Sequence, residues 1–118
     1  MNNKSNLTLD QALQLYVDGV QKKLNDYWTE SKYTFAPTPK AEVEKGRRYI
    51  KITVVNSKKD GRFDSRHVHT FIDTTNGNVL KAASWKAPEL RNPRGNIYAP
   101  DNGLNGVTEH GAVYLRDF

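Results

Sequence analysis

Cysteine is absent from the 118 residues. That single absence excludes disulfide frameworks, thiolate metal sites and cysteine nucleophiles. Long apolar runs are absent too. No stretch approaches the ~18 apolar residues that a membrane-spanning helix requires. The N-terminal MNNKSNLTLDQAL carries no apolar signal segment. The expectation is a soluble protein that works inside a cell, with no membrane partner. Phosphate-loop glycines are also missing: neither G-x-x-x-x-G-K-S/T nor G-x-G-x-x-G occurs.

Histidine is scarce, at three residues. His67 and His69 lie two apart on an expected strand and project to one side, with Asp73 on that side further along. A tetrahedral metal site needs three or four ligands. Only His110 remains to complete one, so no metal is expected. Carboxylate chemistry has equally little support. Asp60 is explained by a turn, and Asp64, Asp73, Glu42 and Glu44 form no defined pair. Ser65 and Ser84 assemble no ordered triad with the histidines. The sequence therefore reads as non-enzymatic, with no cofactor.

What is abundant is positive charge. Eighteen Lys and Arg stand against thirteen Asp and Glu, a net charge of +5. The excess is not evenly spread. Residues 1–39 balance, residues 40–96 carry thirteen Lys/Arg against six Asp/Glu, and residues 97–118 are net acidic. A basic middle on a neutral frame is the footprint of a polyanion partner. Aromatics at 10% supply enough bulk for a core. The length suits one domain over residues 1–118.

The expected fold is α+β: one N-terminal amphipathic helix on a three- to four-stranded antiparallel sheet, followed by a long loop-rich C-terminal segment. Residues 1–7 read as a flexible lead. Leu9, Leu13, Tyr16, Val17, Val20, Leu24, Tyr27 and Trp28 recur at steps of three and four, so a helix is expected over 8–32. Thr8 and Gln11 fit a capping box at its start. Residues 42–86 read as an antiparallel meander. Its strands are the β-branched run around Ile50–Val55, then SRHVHTFID, then NVLKAASW. Asp60-Gly61 and Asn76-Gly77 mark the turns, the second as a type I′ hairpin. Residues 87–118 are broken by proline and glycine, with a short strand expected in GAVYLRDF, which can return to the sheet edge.

Alternation assigns the faces. Ile50, Ile52 and Val54 should share the helix side with Val68, Thr70 and Ile72. The other face then carries Tyr49, Lys51, Thr53, His67, His69 and Phe71, and the third strand adds either Val79, Lys81 and Ala83, which brings Trp85 to that side, or Leu80, Ala82 and Ser84. Lys or Arg binds phosphate without sequence specificity, and flat side chains stack unpaired bases. The expected nucleic-acid-binding residues are therefore Tyr49, Lys51, Arg66, His67, His69, Phe71, Lys81, Trp85, Lys86, Arg91 and Arg94. The competing reading packs Trp85 beneath the loop that follows it. Exposed edge strands also leave a homodimer open.

The stretch TNG-x-VLKAASWKAP, the RGNI that follows and the terminal aromatic strand resemble a group of small tailed-bacteriophage proteins. The resemblance covers residues 66–118. It implies a phage origin and work in the host cytoplasm, and it implies no catalytic residues. Two roles follow from it, a nucleic-acid-binding accessory protein or an inhibitor that docks on a host or defence protein, with a minor virion component as a third. The helix followed by three strands is also similar to part of a double-stranded-RNA-binding domain, but no second helix with a basic start is found, so that family's contacts are not carried over.

Overall fold

The computed structural model describes residues 7–31 and 37–113. Its first element, α1 (Leu9–Ser31), begins at the expected box. The Thr8 amide donates to Gln11 Oε1 at 2.9 Å, and the Gln11 amide donates to Thr8 Oγ1 at 3.1 Å. Two amide groups at the helix start are thereby satisfied locally. Residues 1–6 of the expected flexible lead fall outside the described range, as do residue 32 of the expected helix and the last five residues of the expected terminal strand; Leu7, by contrast, packs against the core.

One sheet follows, built in chain order from β1 (Lys40–Lys45), β2 (Tyr49–Ser57), β3 (Phe63–Asp73), β4 (Asn78–Leu80) and β5 (Gly95–Asn96). Each strand runs antiparallel to the next. A small separate hairpin joins β6 (Val107–Thr108) to β7 (Gly111–Ala112). The α+β reading holds, and the sheet gains a strand at each edge. The run AEVEKGRRYIKITVVNS is two strands rather than one. Gly46, Arg47 and Arg48 turn the chain, and the Gly46 amide donates to the Tyr49 carbonyl at 3.0 Å. The return strand of GAVYLRDF pairs with β6, not with the main sheet.

The core lies between α1 and one face of the sheet. Ala12, Leu13, Tyr16, Val20 and Leu24 of the helix meet Ile50, Ile52, Val54, Ile72 and Val79, with Ile97 and Val107 closing the end. Burying each large aliphatic side chain is worth roughly 2 kcal/mol. Gln21 ties the helix to the outer edge, its Oε1 accepting from the Ala41 amide at 2.8 Å and its Nε2 donating to the Pro39 carbonyl at 3.0 Å.

Two local expectations are corrected. The Asn76-Gly77 turn is not type I′, which needs positive φ at both residues. Gly77 has φ of 81°, but Asn76 is not among the positive-φ residues. The Gly77 amide instead reaches back to the Asp73 carbonyl at 2.7 Å, making a longer loop over Thr74–Gly77. The third strand ends at Leu80 and does not run to Trp85. Beyond it, Ala82 bridges to Pro88 and the Glu89 amide donates to the Lys81 carbonyl at 2.7 Å, so the chain folds on itself.

Candidate nucleic-acid interface

A bulge in β3 decides which residues reach the second face. Ile52 pairs with Thr70, whereas Thr53 pairs with Val68, so His69 is the extra residue on its strand. One inserted residue reverses the alternation on either side of it. Val54 faces His67 across the ladder and Thr53 faces Val68. His67 therefore lies on the helix side, where it lines a 170 Å³ pocket with Leu24, Tyr27, Trp28 and His110. His67 and Val68 lie on the faces opposite to those that simple alternation predicts, because a bulge leaves no mark in the hydrophobic pattern.

The bulged residue itself is buried. His69 is 2% exposed and sits in a polar chain that crosses the core. Its Nε2 lies 2.7 Å from the Thr108 carbonyl, which can only accept, so Nε2 carries the proton. Nδ1 then accepts from Thr70 Oγ1 at 3.0 Å, and Thr70 Oγ1 accepts from the Tyr16 hydroxyl at 2.7 Å. Burial drives the imidazole pKa down to about 4, against an upward pull from the Thr108 carbonyl. Burial also raises the Tyr16 hydroxyl, with the Thr70 hydrogen bond opposing it. His67 is lowered as well, by burial first and then by the nearby His110. These histidines are neutral members of the fold and not cations of a binding face. Among the described residues, no three histidine or carboxylate side chains converge as a metal site.

The second face keeps Tyr49, Lys51, Arg66 and Trp85 together. Trp85 is 42% exposed. The Lys51 ammonium stands 4.0 Å from its ring centre and the Arg66 guanidinium 5.7 Å. Each such contact contributes about 0.5–1 kcal/mol at an exposed site. Glu44 of β1 lies between the two cations, 3.8 Å from Lys51 Nζ and 3.9 Å from Arg66. Trp85 is thus neither buried beneath its loop nor surrounded by Lys81 and Arg94. It lies against cations that β2 and β3 present from the sheet.

Beside it runs a groove of about 320 Å³ lined by Glu44, Lys45, Gly46, Arg47, Arg48, Tyr49, Lys51, Phe71 and Lys86. Phe71 is 3% exposed and cannot stack a base; it supports Tyr49 edge-on, with ring centres 6.5 Å apart. Arg48 lies 5.3 Å over the Tyr49 ring and donates to Asp73 at 3.1 Å. Burial pushes the Asp73 carboxyl upward, but the hydrogen bonds from Arg48 and Thr75 outweigh it and hold the group below the usual carboxylate range.

Three expected cations lie elsewhere. Arg94 has a side chain only 5% exposed, donating to the Val113 and Asn92 carbonyls at 3.0 and 2.6 Å and lying 3.8 Å from Glu89. It pins the C-terminal loops. Lys81 is half-buried at a different cavity, shared with His69, and donates to the Ala82 carbonyl at 3.3 Å. Arg91 is exposed on the loop beyond the Trp85 turn and lines neither the groove nor the Trp85 cluster. In return, the groove gains Lys45, Arg47 and Arg48, which the sequence reading passed over. The visible signal was the run KGRR, a glycine inside a basic stretch at the end of a strand pattern.

The fold and this face define a small helix-on-sheet protein with a basic, aromatic groove. The chain belongs to a family of unknown function, DUF7717, whose model matches residues 1–111. No curated protein and no solved structure matches it. Among the described residues, no helix is long and apolar enough to cross a membrane.

Proposed function

We propose that the protein binds single-stranded DNA or RNA through the groove at the β1–β2 turn, as a small phage-derived accessory protein in the host cytoplasm. The observation that carries this reading is the groove's charge. Five cations, Lys45, Arg47, Arg48, Lys51 and Lys86, line it with one acid, Glu44, while Asp10 and Asp73 pair with Lys45 and Arg48 from outside its lining, which leaves the groove a net positive charge. Tyr49 and the exposed part of Trp85 stand at its side as surfaces for bases. Phosphates in the groove release counterions, and each base stacked on an aromatic ring adds about 1–3 kcal/mol. Sequence preference is not expected to dominate, because phosphate contacts and stacking on aromatic rings do not distinguish bases.

The test is fluorescence anisotropy of labelled single-stranded oligonucleotides across a salt series. Micromolar binding is expected, with log K falling against log salt at a slope of about −2 to −3, the value for three or four neutralised phosphates. Absence of binding to single or double strands at low salt would remove the proposal. A second reading, an inhibitor docking on a host or defence protein, draws on the exposed Phe63 and Leu90, 61% and 62% accessible. A nuclease-treated pull-down from host lysate that yields one stoichiometric protein would favour it.

A further inference from the structure

The longest strand of the sheet has one edge only partly used. β3 pairs with β2 along its whole length, from Phe63 opposite Ser57 to Asp73 opposite Tyr49. On its other side β4 pairs with only Phe71 and Ile72. The segment that would continue β4 turns away, because its ladder groups are taken by its own return. Ala82 bridges to Pro88, the Ala83 amide donates to the Ala87 carbonyl at 3.0 Å, and the Lys81 carbonyl accepts from Glu89. Among the described residues no strand lies alongside Phe63–Val68 on that side.

Open space marks the missing strand. A cavity of about 320 Å³ lies between Arg66–Val68 and Ala82–Trp85. A second, of about 510 Å³, continues from Val68 and Ala82 toward His69 and the β6–β7 hairpin. The two share Val68 and Ala82 and so follow the edge of β3 in sequence. Residues 63–67 of the strand are exposed. The bulges at Asp64 and His69 bracket a regular stretch between them. An edge of this kind presents free amide and carbonyl groups and is a template for strand addition.

We propose that this edge, opposite Ser65–Val68, adds an acidic extended peptide from a partner protein as a further strand. Charge selects the occupant. Arg66 and Lys81 line the two cavities, and no carboxylate is among their described lining residues. Of the acids on β3 and its turn, Asp60 is paired with Arg62 at 2.6 Å and Asp73 with Arg48 at 3.1 Å, which leaves Asp64. Phe63 and Val68 supply the apolar contacts that alternate side chains of an added strand use. The same charges and bulges are devices that keep one sheet edge from pairing with its own copy. The site shares no lining residue with the groove at the β1–β2 turn but borders Arg66 and Trp85, so the oligonucleotide comparison separates the two readings.

The test uses a fluorescein-labelled peptide about eight residues long, alternating glutamate and valine, long enough to span the open segment. Three comparisons go with it: the lysine–valine counterpart, the glutamate peptide N-methylated at alternate residues, and a single-stranded oligonucleotide. The glutamate peptide should bind and slow hydrogen exchange at amides within 63–68. The lysine peptide and the N-methylated peptide should each bind about tenfold more weakly or worse. Equal binding of the N-methylated peptide, or binding without protection of 63–68, would overturn strand addition. Protection that rises with protein concentration alone would assign the edge to a second copy, and equal protection by the oligonucleotide would assign it to nucleic acid; either overturns the proposal.

Discussion

Lowering the pH should destabilise this protein through one buried imidazole, His69. Its pKa lies near 4 in the folded state, against an ordinary value of 6.5. Above about pH 6.5 the ring is neutral in both folded and unfolded chains, and the stability it confers is complete. Between pH 6.5 and 4 the unfolded chain binds a proton that the folded chain refuses, so stability falls as the pH falls. Below about pH 4 the folded ring protonates too, and this residue costs nothing further. At about 1.36 kcal/mol per pKa unit, the full effect is about 3 kcal/mol, and about 2.5 kcal/mol is lost between pH 7.5 and 4.5. The residue is 2% exposed, so solvent screening does not reduce the figure. The geometry gives the same sign. A proton on Nδ1 would oppose the Thr70 hydroxyl, which already donates to that atom. Urea unfolding at several pH values, for the wild type and His69→Gln, measures the effect. The wild type should lose about 2.5 kcal/mol more than the variant over that interval. Parallel pH profiles for the two proteins would refute the reasoning.

Two further outcomes follow from side chains placed in the folded state. Gly106→Ala should destabilise strongly, by roughly 2–4 kcal/mol, because a Cβ there would overlap the Arg94 backbone carbonyl; thermal unfolding reads it, and an unchanged Tm would contradict the packing. Arg94→Ala and Arg47→Glu should separate stability from binding. Arg94→Ala should lower the Tm, since it abandons the Val113 and Asn92 carbonyls, and leave the salt slope of oligonucleotide binding unchanged. Arg47→Glu should leave the Tm nearly unchanged and weaken oligonucleotide binding about tenfold or more.

The helix, its cap, the core stripe and the antiparallel meander were legible in the sequence because each follows from local rules: a 3.6-residue period, a Thr-x-x-Gln box, β-branched runs. The site was legible in composition but not in placement. Lys51, Arg66 and Trp85 do meet, yet His67 is turned to the helix side because one inserted residue at His69 reverses alternation. Nothing local in SRHVHTFID distinguishes a bulge from a regular strand. The same limit hid the β1–β2 turn. Its three residues, Gly46-Arg47-Arg48, read as a basic run inside one strand, and only the pairing of Lys45 with Ile50 shows that the chain reverses there. Arg94 failed for a different reason: arginine is usually exposed, and its burial depends on carbonyls of Asn92 and Val113 that tertiary folding brings to it.

The claim that matters most is that Trp85 and the neighbouring groove receive a nucleic acid. The chain has two tryptophans, Trp28 and Trp85. In a Trp28→Phe background, Trp85 alone reports on the second face of the sheet. Titration with a single-stranded oligonucleotide at low salt should quench its fluorescence saturably, salt should reverse the quenching, and Arg47→Glu should shift the curve to higher concentration. Trp85 emission that stays unchanged at saturating oligonucleotide, or that changes identically when Arg47 is reversed in charge, would contradict the account.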